Sequence, residues 1–408
     1  MLSGMSRLLH PFTPPAKDTA DFVNIASAKG AVLTTTDGRE ILDAMASLWY
    51  CNVGYGHPKV TEAITRQLSS IHAHHIFDPF TNDVAEAAAA AIVERAPTAG
   101  GKVFFGQSGS EAVDTALKLA RAAQFQAGHP EKTLVISRTN GYHGTNYGGT
   151  SAQGFPEYRA GWGELVPGHI HVPGNDVEAL ASVFAERGAE IAAVIAEPLQ
   201  GAGGVIPPAP GYLEAIRRLC TEHGALYISD EVICGFGRLG RWFGAEFYGI
   251  EPDMVTFAKA VTSGYVPLSG VIVGDKALGM LETDPEWKLS HGFTYSGHQT
   301  ACAAALACIE ATEEEGLLER ATVLGARLEK GLQALADDGL YVELRGDGFV
   351  WALKTHEGQA PVDVRWRALE KGVIVRPMAD CIGFCPPLVC TEEQVDQMVD
   401  VAAEAANP

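Results

Sequence analysis

The sequence predicts an α/β protein: a large domain with a mostly parallel central sheet flanked by helices, plus a smaller α+β domain. Two observations carry most of that expectation. Between about 100 and 275, short apolar runs alternate with helical segments and Gly-rich turns: Lys102 to Phe105, Leu134 to Ser137, Ile191 to Ala196, Leu226 to Ser229, Met254 to Ala258 and Gly270 to Val273. Runs of that length without polar alternation suit strands buried on both faces, which requires helices above and below the sheet. Beyond about 300 the pattern changes. An Ala-rich helix (Ala301 to Glu310) and a long charged one (Leu317 to Leu335) lead into strand-like pieces at Tyr341-Val342-Glu343-Leu344 and Val373-Ile374-Val375.

The elements divide the 408 residues into an N-terminal segment (1–48), a large domain (49–300) and a C-terminal small domain (301–408). The first segment is Pro-rich from His10 to Pro15 and then offers Ala31 to Thr35 and Ile41-Leu42 as strands, joined by the turn pair Asp37-Gly38. It is too short to fold alone and is expected to pack with the small domain. Ala85 to Val93 reads as a helix. Thr391-Glu392-Glu393-Gln394 is a capping box, and Val395, Met398, Val399 and Ala402 give the closing helix one apolar face.

Composition excludes several classes of function. A formal charge of −20 leaves no basic stripe to neutralise phosphates, so neither nucleic acid nor an anionic membrane is an expected partner. No apolar stretch reaches about 18 residues, and Met1 to His10 has no signal-peptide pattern, so the expected location is the cytoplasm. The eight cysteines do not form a disulfide scaffold in a chain of this length, and Cys381, Cys385 and Cys390 lack zinc spacing. His72, His74 and His75 have no acidic or Cys partner nearby, and no metal is expected.

Ligands of open parallel sheets bind beyond the carboxyl ends of the strands. Glu197, Asp230 and Lys259 each follow an apolar run directly and so belong at such ends. A lysine amine can condense with an aldehyde, and a carboxylate can keep a pyridine nitrogen protonated, which is the minimum equipment for pyridoxal phosphate. Gly106-Gln107-Ser108-Gly109-Ser110-Glu111 joins a strand to a helix. Its glycines, hydroxyls and helix N-terminus suit a phosphate, and Ser108 with Glu111 is also a capping box. In Gly141-Tyr142-His143-Gly144 a glycine-flanked tyrosine can lie against a flat ring. Gly201-Ala202-Gly203-Gly204 lacks dinucleotide spacing, and Val205-Ile206-Pro207-Pro208 is not expected to open a helix.

Together these motifs resemble the class III aminotransferases, pyridoxal-phosphate enzymes of fold type I, and among them the ω-aminotransferases of the β-alanine:pyruvate type. The resemblance rests on Ser108 to Ala112, Gly141 to Gly144, Glu197-Pro198 with Gly201 to Gly204, Asp230-Glu231-Val232 with Gly235 to Arg238, Pro252-Asp253 with Ala258-Lys259, and His291 to Tyr295. It implies Lys259 as the residue that carries the cofactor and Asp230 as the partner of its ring nitrogen. Val232 and Tyr142 would flank the ring, and Gly109 and Ser110 would donate to the phosphate. Glu197 would sit near the ring hydroxyl, with Ser108, His143 and Phe293 in support. Thr294 would reach the phosphate of a neighbouring subunit, implying a homodimer with shared sites. Trp49 and Tyr142 would wall the substrate pocket, and Arg376 would grip a carboxylate and swing away for substrates lacking one.

The implied reaction is ping-pong transfer of an amino group from an amine or ω-amino acid to a keto acid such as pyruvate. An aminomutase or racemase on the same scaffold would use the same cofactor residues, and a non-catalytic pyridoxal-phosphate-binding protein is the alternative of another class. Two positions depart from the family pattern. Gln299 follows Ser296-Gly297-His298 where proline is usual, and Ala379-Asp380 replaces the usual Gly-Asp after the arginine segment.

Overall fold

The computed structural model describes residues 7–406, so the readings over 1–6 and 407–408 lie outside the described residues. An N-terminal meander contains β1 (Ile25–Lys29), β2 (Val32–Thr35) and β3 (Glu40–Asp43), with Gly38 in left-handed backbone in the β2–β3 turn. Seven strands form the central sheet: β4 (Lys102–Gly106), β5 (Leu134–Arg138), β6 (His169–Val172), β7 (Ile191–Ala196), β8 (Leu226–Asp230), β9 (Met254–Phe257) and β10 (Ser269–Val273). Their order is β4-β10-β9-β8-β7-β5-β6. Only β10 is reversed, pairing antiparallel with both β4 and β9, so the expected mostly parallel sheet is present.

Helices cover both faces because the strands are apolar on both. On one face, Val113, Ala116, Leu117 and Ala120 of the helix Gly109–Gln126 pack with Val135, Ile195 and Ile228. On the other, Ile216 and Leu219 of the helix Tyr212–Glu222 pack with Val194 and Tyr227. Each fully buried Ile or Leu contributes about 2 kcal/mol.

The smaller region holds β11 (Glu343–Asp347), β12 (Val350–Lys354), β13 (Val373–Ile374), β14 (Arg376–Met378) and β15 (Cys381–Phe384). The segment Val373 to Val375, read from sequence as one strand, is divided. β13 pairs in parallel with β3 of the meander, whereas β14 pairs antiparallel with β15 in the sheet β11-β12-β15-β14. Val375 is the crossover, and it delivers Arg376 to the second sheet. Tyr341 precedes its strand instead of opening it, because its buried hydroxyl donates to Ala402 O at 2.8 Å. The closing helix Glu392–Ala406 is capped as its sequence predicts: the Gln394 N–H donates to Thr391 Oγ1, and the Thr391 N–H to Gln394 Oε1. All eight cysteines are free and buried, and no described helix is long and apolar enough to cross a membrane.

Candidate active site

The carboxyl ends of β7, β8 and β9 are level, because Ala196 pairs with Ser229 and Asp230 with Thr256. Glu197, Asp230 and Lys259 therefore emerge side by side. Asp230 is 2% exposed. Its Oδ1 accepts from Thr256 Oγ1 at 3.0 Å and from the Val232 N–H at 3.2 Å. Its Oδ2 accepts from His143 Nδ1 at 2.7 Å. That bond assigns the proton to Nδ1 and orients the buried carboxylate. Glu197 is held as firmly: Oε1 accepts from the Tyr142 N–H at 3.0 Å and Oε2 from the Gly201 N–H at 2.9 Å. Burial pushes the Glu197 carboxyl above its ordinary value.

Lys259 differs from both acids. It stands in left-handed backbone, φ 50°, at the start of the short 3-10 turn Lys259–Thr262, and its amine makes no hydrogen bond or ion pair among the described residues. Burial pulls its ammonium below the ordinary lysine value; Asp230 and Glu197 oppose the shift and Arg376 adds to it. A strained backbone that holds a partnerless amine, its ammonium disfavoured by burial, beside two fixed carboxylates is a reactive arrangement.

Facing these strand ends is the N-terminus of the helix Gly109–Gln126. Ser108 caps it in the expected reciprocal box with Glu111. The N–H groups of Gly109 and Ser110 have no hydrogen-bond partner among the described residues, leaving two donors and the positive end of the helix dipole for an anion. Glycine is required at 109, since a Cβ there would lie 2.9 Å from Val232 Cγ1. The Tyr142–His143 loop closes on the same helix: Ser110 Oγ accepts from the Thr145 N–H at 2.9 Å, and a Cβ on Gly144 would meet Ser110 Cα at 2.8 Å.

Arg376 is mostly enclosed, has no acidic partner among the described residues, and keeps a buried Nε without a hydrogen bond. Its electrostatic neighbours are Tyr142 and Tyr158, and burial holds the guanidinium below its ordinary value. Tyr158 meets the Tyr142 ring edge-on at 6.5 Å and lines a cavity of about 600 Å³ with Phe12, Tyr147 and Trp162. Trp49 is 2% exposed, in a core cluster with Met378, two residues from Arg376, and with Cys385, and it is not among the residues lining that cavity.

Phe293 packs near β4, where a Cβ on Gly106 would lie 3.4 Å from its ring. Thr294 is exposed on the adjoining loop. Gln299, in place of the family's proline, opens the helix Gln299–Glu314 without disturbing it, and its Oε1 accepts from the His74 N–H at 2.8 Å.

Sequence reasoning missed Thr256, Gln153 and Tyr158. Thr256 had a signal, as the one polar residue in the run Met254 to Ala258. Gln153, whose amide donates to Gly144 O at 2.8 Å, and Tyr158 had none, because only the tertiary fold brings them to the site.

A partnerless lysine amine, an oriented carboxylate, and two free N–H groups at a helix N-terminus fit the aldehyde, ring nitrogen and phosphate of pyridoxal phosphate, and they define a pyridoxal-phosphate enzyme of fold type I. Comparison with known proteins places it further: residues 14–405 match the family aminotransferase class-III, and the chain belongs to that family. It is 39% identical to the putrescine–pyruvate aminotransferase of Pseudomonas aeruginosa over 94% of this chain and 90% of that protein. With the ω-aminotransferase of Caulobacter vibrioides it shares 36% identity over 96% and 94% of the two chains. The crystal structure of the ω-transaminase from Pseudomonas jessenii in complex with PMP superposes with a TM-score of 0.94 at 34% identity, over 98% of this chain and 95% of that one. The chain is a pyridoxal-phosphate-dependent aminotransferase.

Proposed function

We propose that the protein moves an amino group from an amine or ω-amino acid to a keto acid such as pyruvate, with Lys259 as the proton-transfer residue. The observation that carries this reading is the unpaired Lys259 amine beside Asp230 and Glu197, with the unpaired Arg376 nearby. Relatives named for putrescine and β-alanine with pyruvate support the substrate class.

Pyridoxal phosphate supplies an electron-accepting ring and the carbon on which the nitrogen is carried. Asp230, oriented by His143, would hold the proton of the ring nitrogen. Gly109 and Ser110, with Ser108, would bind the phosphate through N–H groups and the helix dipole. Val232 and Tyr142 would confine the ring, and Glu197 would orient its hydroxyl side. Lys259, whose ammonium is disfavoured by burial, would take the proton from the substrate carbon and return it on the far side of the transferred nitrogen. Arg376 has no carboxylate partner among the described residues, so a substrate carboxylate would complete its bonding. Trp49 would back the pocket from behind Met378. Because donor and acceptor use one set of residues, the donor's carbonyl product must leave before the acceptor enters, which gives ping-pong kinetics.

A second copy of the chain would complete each site through Thr294 and Phe293. The exposed Phe77, Phe80 and Tyr295 near that loop are the apolar surface such a homodimer would cover.

Lys259→Ala should abolish multiple-turnover transamination, by about 10³-fold or more, and remove the visible band of the covalently held cofactor. Retention of both would disprove the assignment.

A further inference from the structure

Arg376 is attached to a hairpin that is tied down at its far end. The turn between β14 and β15 contains Ala379 in left-handed backbone, φ 31°, at a place where the family pattern has glycine. Such a conformation persists in an L-residue only where the surroundings impose it. Here the next residue imposes it. Asp380 Oδ1 accepts from Arg345 Nη2 at 2.8 Å, and Oδ2 lies 3.5 Å from Lys354 Nζ. Its backbone carbonyl accepts from the Thr355 N–H at 2.9 Å and from Thr355 Oγ1 at 3.3 Å.

Arg345 also extends the network to the other side of the site. A Cβ on Gly204 would lie 3.2 Å from Arg345 Nη2, and Cys381 Sγ, on the first residue of β15, lies 3.8 Å from Gly204 O, so both side chains pack beside this loop. The loop starts at Gly201, whose N–H donates to Glu197 Oε2. Arg345 thus stands between the loop that fixes Glu197 and the turn that fixes the Arg376 hairpin. The Arg376 guanidinium itself has no acidic partner among the described residues. Its reach is therefore set by the backbone beneath it.

We infer that the Asp380–Arg345 ion pair is a latch. By holding the hairpin against the Gly201–Gly204 loop it limits the swing of Arg376 and so sets the preference for carboxylated over carboxylate-free amines. This rests on the reading of Arg376 as the carboxylate grip. Asp380 and Arg345 are positioning residues, since neither reaches the Lys259 cluster.

The test compares β-alanine with n-propylamine, donors of equal chain length, each with pyruvate. Parent, Asp380→Asn, Arg345→Gln, Arg376→Ala and the Asp380→Asn/Arg376→Ala double variant are measured. Amide hydrogen exchange over residues 376–384 is followed in parallel. With the latch cut from either side, exchange of the hairpin should quicken, and the β-alanine to propylamine ratio of kcat/KM should fall about fivefold, as for a half-buried ion pair. Arg376→Ala should lower the ratio further, and Asp380→Asn should add nothing in that background.

An equal loss with both donors, or an unchanged ratio, overturns the latch, and the Arg376 reading survives if Arg376→Ala alone shifts the ratio. A shift from Asp380→Asn that persists without Arg376, or that comes without faster exchange, also overturns it. If Arg376→Ala leaves the ratio unchanged, the grip and the latch that depends on it both fail.

Discussion

His143 shows how much a single buried side chain can decide. Its imidazole is 1% exposed, and its Nδ1 proton is one of three hydrogen bonds that fix Asp230. His143→Ala would leave one oxygen of a buried carboxylate without a partner, which costs about 1–3 kcal/mol. Cofactor affinity and kcat should together fall about 10- to 100-fold, and His143→Asn, which keeps a donor, should recover part of the loss. Cofactor titration and steady-state kinetics of the two variants check this. At this scale the sequence was legible wherever chemistry coincided with a strand end. Glu197, Asp230 and Lys259 each follow an apolar run, and that position alone puts them in the ligand-binding crevice. Thr256 stood out only as the polar residue of its run, and its support of Asp230 follows from the β8–β9 register, whereas Tyr158 meets Tyr142 only in the folded chain and had no local pattern to reveal it.

The end of β8 places two acids in succession, and the strand's alternation sends them to opposite sides. Asp230 faces the site. Glu231 turns away and accepts from the Gly244 N–H at 2.7 Å, the Ala245 N–H at 2.6 Å and Ser229 Oγ at 3.2 Å, tying β8 to the short helix Gly244–Phe247. Burial pushes its carboxyl up to about 7. Between the ordinary glutamate value and that point the folded protein holds this proton more tightly than the unfolded chain. Stability from this group is therefore greatest below that window, falls as pH rises through it, and is level above. Glu231→Gln removes the dependence. Its stability relative to the parent should improve between pH 5 and 7.5, by about 3 kcal/mol at most, in denaturant melts at the two pH values. A constant difference between the two proteins would refute the buried-acid account. Elements themselves were legible where one sheet claimed them. The run Val373 to Val375 was not, because apolar content is the same for a strand that continues and for one that crosses from β3 to β15.

Thr294 lies on an exposed loop of the single chain. Lys259, Asp230 and Gly109 converge from strands and a helix of one sheet, whereas Thr294 sits exposed beside Tyr295, itself 60% exposed. The segment His72 to Phe80 is bound to this loop region: the His74 N–H donates to Gln299, and Thr300 Oγ1 donates to His72 O at 2.8 Å. The exposed Phe77, Phe80 and Tyr295 are the side chains that the proposed second copy would cover. Two-fold symmetry would then bring each Thr294 to the phosphate end of the other chain's site. Complementation distinguishes this from a threonine serving its own chain. Lys259→Ala has no reactive amine, and Thr294→Ala should be nearly inactive at limiting cofactor. In a hybrid dimer, one site would inherit both defects and the other neither. Mixing the two inactive variants under conditions that exchange subunits should therefore restore activity, to about a quarter of the parent for random pairing of two-fold dimers. If Thr294 served its own chain, every hybrid site would carry one defect and mixing would restore nothing.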